Sequence, residues 1–346
     1  MPLTIQIESV GDGLNAALYT LPGEGLHLDV GGRSRRLAWA AFRKAPAPKT
    51  LVISHFHLDH YVGLYEPASR AERALNLQML IFPRLPEFRE RREFAAALFA
   101  TLTRVFGKET GSIEADFLRL VGTLNGRSWT YSPVSRGEWF QSEGRIYEVL
   151  WPPRVIDDET FSRGVGSVLR AFDQAREEDP LLNEIHSRVY DSNRNPFEIS
   201  EAGYSAPAER GADHPPEASP TSDWQREWIP PSTTTVLGRL TQIANRLSLA
   251  FRSAEELLFL GDLEERELGV VAESLLTCGL TASQCLMTAH HGTHWHANMF
   301  GLSAGHAVSS LGQRLASKYC QQYSYISSHE HLTSVQGSYL ARLPFR

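Results

Sequence analysis

Three histidines and one aspartate lie close together at residues 55–60, which read HFHLDH. Imidazole nitrogens and carboxylate oxygens are common protein ligands of Zn2+. In an extended backbone alternate side chains point the same way, so His55 and His57 can share one ion. Asp59 and His60, on the following turn, can then face a second ion. The spacing therefore predicts a site for two adjacent divalent metal ions.

The HFHLDH motif follows a predicted strand. Residues 50–54 form a short apolar, β-branched run that is typical of a buried strand. Two later positions, Asp262 and His290, also follow apolar runs of strand length, at residues 257–260 and 285–289. We therefore expect strand-end loops to bring one set of side chains to a single edge of the fold: His55, His57, Asp59, His60, Asp262 and His290.

Hydrophobic periodicity predicts an α/β (α+β) protein that forms one domain over residues 1–346. Residues 5–7 alternate apolar and polar side chains as strands do. From residue 86 onward the period becomes helical, and we assign residues 84–126 to a helical insertion. A further helix is predicted at 264–276, where glutamates at its start complement the helix dipole.

The segment at residues 195–235 differs in composition from the rest of the chain. It is rich in proline, serine, alanine and charged residues and shows no periodicity. Such a composition buries too little apolar surface to order itself. We therefore predict a disordered loop at 195–235.

The overall composition is that of an ordinary globular protein, with 42% hydrophobic and 21% charged residues. A formal net charge of −6 argues against bulk attraction to nucleic acid, although bound cations or a local basic groove can still hold phosphates. The apolar runs are shorter than the roughly 18 residues of a membrane helix, so we expect a cytoplasmic protein without a membrane partner. Cys278, Cys285 and Cys320 lack the CxxC spacing of a thiolate zinc site.

With these motifs the sequence resembles the metallo-β-lactamase-fold hydrolases, whose signature is H-x-H-x-D-H after a buried strand. The resemblance implies a four-layer αββα sandwich. Asp29, in LDVGG, matches an aspartate that usually supports the metal ligands, and Asp262, in FLGDL, matches the carboxylate that bridges both metals. His290, in TAHHGT, matches the last metal ligand, and the adjacent His291 is the competing assignment.

Within that family the chain is most similar to the hydrolase domain of competence-type DNA-uptake (ComEC) proteins and to phosphorylcholine esterases. Four stretches carry this likeness: VGDG at 10–13, YEVLWPP at 147–153, NRLSL at 245–249 and HHGT at 290–293. Similar domains occur in bacterial competence and conflict settings, often encoded beside an ATPase. The likeness implies a nucleic acid substrate and a protein partner such as an ATPase.

One ligand position of the family is vacant in this sequence. Many members carry a third-motif histidine where this chain has Ala244, with Asn245 beside it. The first metal would then have three protein ligands, and the second would have four. Asn245, another histidine such as His186, or water are the alternatives for completing the first site.

The resemblance implies a metal-dependent hydrolase, with a phosphodiesterase or nuclease as the leading hypothesis. Two divalent ions, Zn2+ or alternatively Mn2+, would bridge a water, lower its pKa and clamp the oxygens of a phosphate ester. Asp59 would orient that water, and a nearby imidazole would protonate the leaving oxygen. The candidate donors are His291, His294 and His296.

Two other functions remain open at this stage. One is a small-molecule hydrolase for a lactone, a phosphorylcholine ester or a cyclic nucleotide, and the other is a metal-binding regulatory module that holds a partner. A nuclease needs a basic groove, for which the best candidates are Arg33, Arg35 and Arg36. A small ester would instead favour an apolar pocket lined by three tryptophans: Trp39, Trp151 and Trp295.

Overall fold

The computed structural model describes residues 2–21, 24–70, 72–110, 117–142, 144–191, 205–206, 228–254 and 256–344. These residues form two mixed β-sheets and ten α-helices, which confirms the predicted α/β class. Among them, every helix is too short or too polar to cross a lipid bilayer.

Fifteen strands are numbered along the chain. They are β1 Leu3–Ile7, β2 Ala16–Leu21, β3 Glu24–Leu28, β4 Thr50–Val52, β5 Met79–Pro83, β6 Trp129–Val134, β7 Trp139–Ser142, β8 Arg145–Trp151, β9 Ser205–Ala206, β10 Ala250–Ser253, β11 Leu257–Phe259, β12 Ala282–Met287, β13 Ser303–Ser309, β14 Ser327–Leu332 and β15 Tyr339–Leu343. One sheet has the order β15-β1-β2-β3-β4-β5-β6-β9, and the other has the order β14-β13-β12-β11-β10-β8-β7. Strands β3 to β6 run parallel in the first sheet, as do β11 to β14 in the second.

The ten helices are α1 Arg35–Phe42, α2 Tyr65–Ala68, α3 Arg91–Thr110, α4 Phe117–Leu124, α5 Glu159–Glu178, α6 Pro180–Asp191, α7 Pro231–Arg246, α8 Glu265–Thr277, α9 Tyr323–Ile326 and α10 Thr333–Gln336. The helices α3 and α4 fall inside the predicted insertion at 84–126. Most of the loop predicted at 195–235 lies outside the described residues. Its described part includes strand β9 and the first turn of α7, which begins at Pro231.

The two sheets pack face to face around a shared apolar core. In β1 every second side chain is buried, as a half-buried strand requires, and these side chains pack with residues of the second sheet such as Phe251 and Phe259. Phe140 and Tyr147 stack in the same layer, with ring centroids 5.0 Å apart. The side chains on the inner faces of both sheets therefore form one hydrophobic core.

Helices cover the outer faces of both sheets. Side chains of α3, α5 and α7 pack on β4 and β5, and α8 packs on β11, β12 and β13. A buried ion pair ties the helical layer together, because Arg104 Nε on α3 lies 2.9 Å from Asp179 Oδ2, which also accepts a hydrogen bond from Thr233 on α7. The inserted helices and the later helices thus form one layer.

The loops that follow β3 and β4 are held together by backbone contacts. Val30 N–H donates to the His60 carbonyl, and Gly32 N–H donates to the Asp59 carbonyl, both at 2.8 Å. Gly31 sits so close to this second loop that a Cβ would overlap the carbonyl oxygens of Asp59 and Leu14. Only glycine allows this approach, so Gly31 sets the position of the HFHLDH loop.

We predict that Gly31→Ala lowers the free energy of unfolding by about 1–3 kcal/mol, since the added methyl group overpacks a close backbone contact. Urea denaturation would measure the change. The matched control is Gly238→Ala in α7, where a Cβ meets open space and the free energy of unfolding should stay equal or rise by up to about 1 kcal/mol. Equal stability of Gly31→Ala and the wild type would contradict the proposed contact.

Candidate metal centre

A buried carboxylate at the end of β3 organises the site. Asp29 adopts a left-handed backbone conformation with φ 57°, which turns its side chain toward the end of β4. Its Oδ1 accepts the Ser54 backbone N–H at 2.7 Å, and its Oδ2 accepts the Ser54 hydroxyl at 2.6 Å and lies 2.7 Å from His60 Nδ1. Burial raises the pKa of Asp29, although His60 and Ser54 act in the opposite direction.

The contact with Asp29 determines which nitrogen of His60 faces the cluster. With Nδ1 donating to the carboxylate, Nε2 is free to bind a cation, as in carboxylate–histidine–metal arrangements. His55 lies beside His60, with ring centroids 4.1 Å apart. Its Nδ1 lies 3.2 Å from the Ser54 hydroxyl and 3.3 Å from the Ser248 hydroxyl. Both Nε2 atoms are buried and, among the described residues, have no hydrogen-bond partner. Two buried unsatisfied imidazole nitrogens are a donor set that a metal ion would satisfy.

Asp262 lies at the centre of this cluster. Its Oδ2 is 3.3 Å from His291 Nε2, 3.4 Å from His60 Nε2 and 3.9 Å from His55 Nε2. The Asp262 N–H donates to the Ser248 hydroxyl at 2.9 Å, which fixes the loop after β11. One carboxylate oxygen is therefore within reach of three imidazoles.

The cluster strongly perturbs the ionisation of its members. Burial acts to raise the pKa of Asp262, but His291 and His60 outweigh it and hold that pKa well below its usual range. Burial acts to lower the pKa of His60, but Asp262 and Asp29 outweigh it and raise that pKa well above its usual range. For His55 burial dominates and lowers the pKa, which favours the neutral imidazole that binds metals. A cation in the cluster would replace the proton that the carboxylates favour on His60.

Asp59 and His57 lie on the open side of the cluster. Their side chains are 26% and 30% exposed, with Asp59 Oδ1 3.0 Å from His57 Nδ1 and 4.0 Å from His60 Nε2. Burial opposes ionisation of Asp59, yet His57 and His60 lower its pKa. Ligand atoms of Asp59, His60 and His291 all lie within 4.8 Å of one another, as do those of His55, His60 and Asp262. The two groups share His60.

The adjacent histidines after β12 point to different neighbours. Both have left-handed backbones, with φ 46° for His290 and 59° for His291. His291 joins Asp262 and is buried, and its Nδ1 lies 3.1 Å from the Ser310 hydroxyl. His290 instead lies with His294, its ring stacked at 4.2 Å and 6°. Of the two alternatives that the sequence left open, the structure brings His291 to the Asp262 cluster.

His290, His294 and Glu264 make up a separate group beside the cluster. His294 Nε2 is 3.0 Å from Glu264 Oε2, and His290 Nδ1 is 3.7 Å from Glu264 Oε1. Burial lowers the pKa of His290 to about 4. Burial acts to raise the pKa of Glu264, but the contact with His294 lowers it. Sequence analysis missed Glu264 as a site residue, although its position two residues after Asp262 was an available signal.

The side chains at the position where the sequence predicted a missing ligand are Ala244 and Asn245. Asn245, near the end of α7, is buried beside Glu264, and its amide helps to lower the pKa of that carboxyl. Ala244 is buried in the helical core. His186 lies elsewhere, on α6, with its Nδ1 2.9 Å from Arg176 Nη1. His186 is in none of the groups of ligand atoms that the described residues form around Asp262.

The residues predicted to distinguish substrates lie in two settings. Arg35 and Arg36 lie 3.3 Å and 3.8 Å from carboxylate oxygens of Glu66, and Arg33 packs beside Gly11. The three tryptophans pack in core clusters, Trp39 with the α1 and α3 layer and both Trp151 and Trp295 with the α8 layer. The tryptophans therefore do not line one common pocket.

Comparison with known proteins finds weak structural similarity and no family or curated match. No protein-family model matches the chain, and no curated protein matches it. A crystal structure of a protein of unknown function from Enterococcus faecalis V583 is similar, with 10% identity over 83% of this chain and a TM-score of 0.32. The chain spans 50% of the length of that protein.

We predict that Asp29→Asn weakens Zn2+ binding by about 10–100-fold, because it removes the carboxylate that orients His60. Competition against a chromophoric chelator would measure the dissociation constant. The control is Asp173→Asn, an exposed aspartate on α5, which should bind Zn2+ as the wild type does. Unchanged affinity in a folded Asp29→Asn protein would refute the orienting role of Asp29.

Proposed function

We propose that this chain is a metal-dependent hydrolase of the metallo-β-lactamase fold that cleaves phosphodiester bonds, with nucleic acid as its substrate class. The observation that carries the proposal is the convergence of His55, His60, Asp262 and His291, with Asp59, around buried nitrogens that lack partners. Two facing sheets with helices on both outer faces support the αββα sandwich that this fold requires. The resemblance to DNA-uptake hydrolase domains supports the choice of nucleic acid.

The donor set fits two divalent ions that share ligands. Imidazole nitrogens with carboxylate oxygens suit Zn2+, and Mn2+ is the alternative. We assign His55 with Asp262 to one ion, and Asp59, His60 and His291 to the other. Because Nδ1 of His60 faces Asp29, its Nε2 can bind only one ion. The shared ligand would be the Asp262 carboxylate, which lies within reach of His55, His60 and His291. His57 lies beside Asp59, with its ring centroid 5.8 Å from that of His55, and it is the candidate for a further ligand of the first ion. His291 takes the ligand role that the sequence offered to His290 or His291.

The roles of the chain's residues follow from their exposure and charge. Bound divalent ions would lower the pKa of a water and neutralise phosphate oxygens. Asp59 combines a lowered pKa with a partly exposed side chain, so its carboxylate is ionised at neutral pH and can bind an ion and orient an attacking water. Asp262 is buried between three imidazoles and holds them in place. Two of the three predicted proton donors, His291 and His294, each contact a carboxylate.

The alternative is hydrolysis of a small ester, such as a phosphorylcholine ester, a cyclic nucleotide or a lactone. One observation favours it, namely that Arg35 and Arg36 both lie near the carboxylate of Glu66. Part of the positive charge expected of a nucleic acid groove is therefore compensated. Cleavage of DNA or RNA that falls steeply with salt would favour the nuclease, whereas cleavage of bis-p-nitrophenyl phosphate alone would favour the small ester.

We predict that Asp59→Asn lowers kcat for phosphodiester cleavage by about 100-fold or more, because it removes the charged carboxylate that would bind an ion and orient the attacking water on the open side of the centre. The substrates to screen are bis-p-nitrophenyl phosphate, single-stranded DNA, duplex DNA and RNA, with Zn2+ or Mn2+ supplied. Circular dichroism should be unchanged, since the substitution removes no core volume. Asp173→Asn serves again as the control and should keep full activity.

Two outcomes would overturn this proposal. Unchanged turnover by Asp59→Asn on a confirmed substrate would remove the role of Asp59. A metal-loaded wild type that cleaves none of these substrates, and yet binds metal tightly, would point to the regulatory binding module instead.

A further inference from the structure

Beside the proposed dimetal centre lies a second group of metal-ligating side chains that the centre does not use. We name Glu264, His290 and His294 the outer triad. One ligand atom from each of these residues lies within 4.8 Å of the other two. Ligands of one zinc ion each approach it to about 2.0–2.2 Å, so side-chain rotations that unstack the two imidazoles would bring all three onto one ion.

The loops that carry the outer triad are already fixed with respect to each other. The His290 N–H donates to the Gly261 carbonyl at 2.8 Å, which joins the loop after β12 to the loop after β11. Thr293 donates its hydroxyl to the His290 carbonyl at 2.7 Å, which closes the turn between the two histidines. Glu264 is the N-cap residue of α8 and has an extended backbone. The three side chains therefore meet without a change in the main chain.

A buried nitrogen of the outer triad points to a missing ligand. His290 Nδ1 is buried, lies 3.7 Å from Glu264 Oε1 and has no hydrogen-bond partner among the described residues. Asn245, which is 6% exposed and contacts Glu264, has a buried Oδ1 that likewise lacks a partner within the described part of the chain. Buried polar atoms are normally satisfied, so the unpartnered Nδ1 of His290, which faces Glu264, indicates a bound group at the outer triad. Asn245 Oδ1 is a second unsatisfied atom, on a residue beside the triad.

We propose that the outer triad binds a further divalent transition-metal ion, held by two imidazoles and one carboxylate. This donor set suits Zn2+. Three protein ligands leave a fourth position open to water or to an oxygen of a bound anion. The Asn245 amide lies beside Glu264 and would orient this carboxylate, as residues next to metal ligands do in other metal sites.

The outer triad differs from the Asp262 cluster in its access to solvent. Its side chains are 19–28% exposed, whereas those of His55, His60, Asp262 and His291 are 1–7% exposed. We therefore expect the outer ion to exchange with a chelator faster than the ions at Asp262.

The test is the zinc content of the full chain after reconstitution with Zn2+ and removal of free metal, measured by mass spectrometry. We predict that His294→Ala and Glu264→Gln each lose one equivalent of zinc relative to the wild type. His329→Ala, an exposed histidine on β14, is the matched control and should lose none. Circular dichroism of each variant would verify its fold.

A comparison with variants of the Asp262 cluster separates this inference from the proposed function. Asp262→Asn, or His60→Asn if that protein fails to fold, should keep the equivalent of zinc that His294→Ala loses. The double variant, which combines that substitution with His294→Ala, should lose the zinc of both sites. If the double variant loses no more than either single variant, one site explains both and the outer triad is refuted. Wild-type zinc content in a folded His294→Ala protein also refutes it. Zinc retained only at the outer triad would refute the dimetal centre instead.

Discussion

The candidate site depends on the buried carboxylate of Asp29, which accepts three hydrogen bonds. A buried carboxylate is costly unless it is fully paired, and Asp29 meets this condition through the Ser54 amide, the Ser54 hydroxyl and His60. These contacts fix the end of β4, the rotamer of His60 and the nitrogen that His60 turns toward Asp262. The close approach at Gly31 serves the same end, because it holds the Asp59 backbone against the loop that carries Asp29.

Burial divides the site into two environments with different chemistry. The Asp262 cluster lies between the ends of both sheets, where low solvent access strengthens each charge interaction. That environment explains the opposite shifts of two histidine pKa values, with His55 lowered by burial and His60 raised by its carboxylates. The open side, which carries Asp59 and His57, is the part that a substrate can reach. In the proposed function, the buried side chains would hold the ions, whereas Asp59 on the open side would both bind an ion and face the substrate.

The sequence predicted the parts of the site that follow from strand ends. Asp262 and the HFHLDH motif both follow buried strands, and the structure brings Asp262 within 3.4 Å of His60. The choice between His290 and His291 depended on the left-handed turn, which no periodicity reveals. Glu264 was interpreted as a charge that complements a helix dipole, because its contact with His294 depends on a loop 30 residues away.

The left-handed backbone at His290 and His291 also couples the outer triad to the Asp262 cluster, because the two residues are adjacent in one turn. A non-glycine residue in this conformation costs about 1–2 kcal/mol, and here two such residues in succession aim neighbouring imidazoles at different partners. An ion bound by either imidazole would stabilise the turn that the other requires. Occupancy of the two groups should therefore be positively cooperative, with a coupling free energy limited by the cost of the turn. In a metal titration of the intact protein, such coupling would appear as a binding curve steeper than that of independent sites.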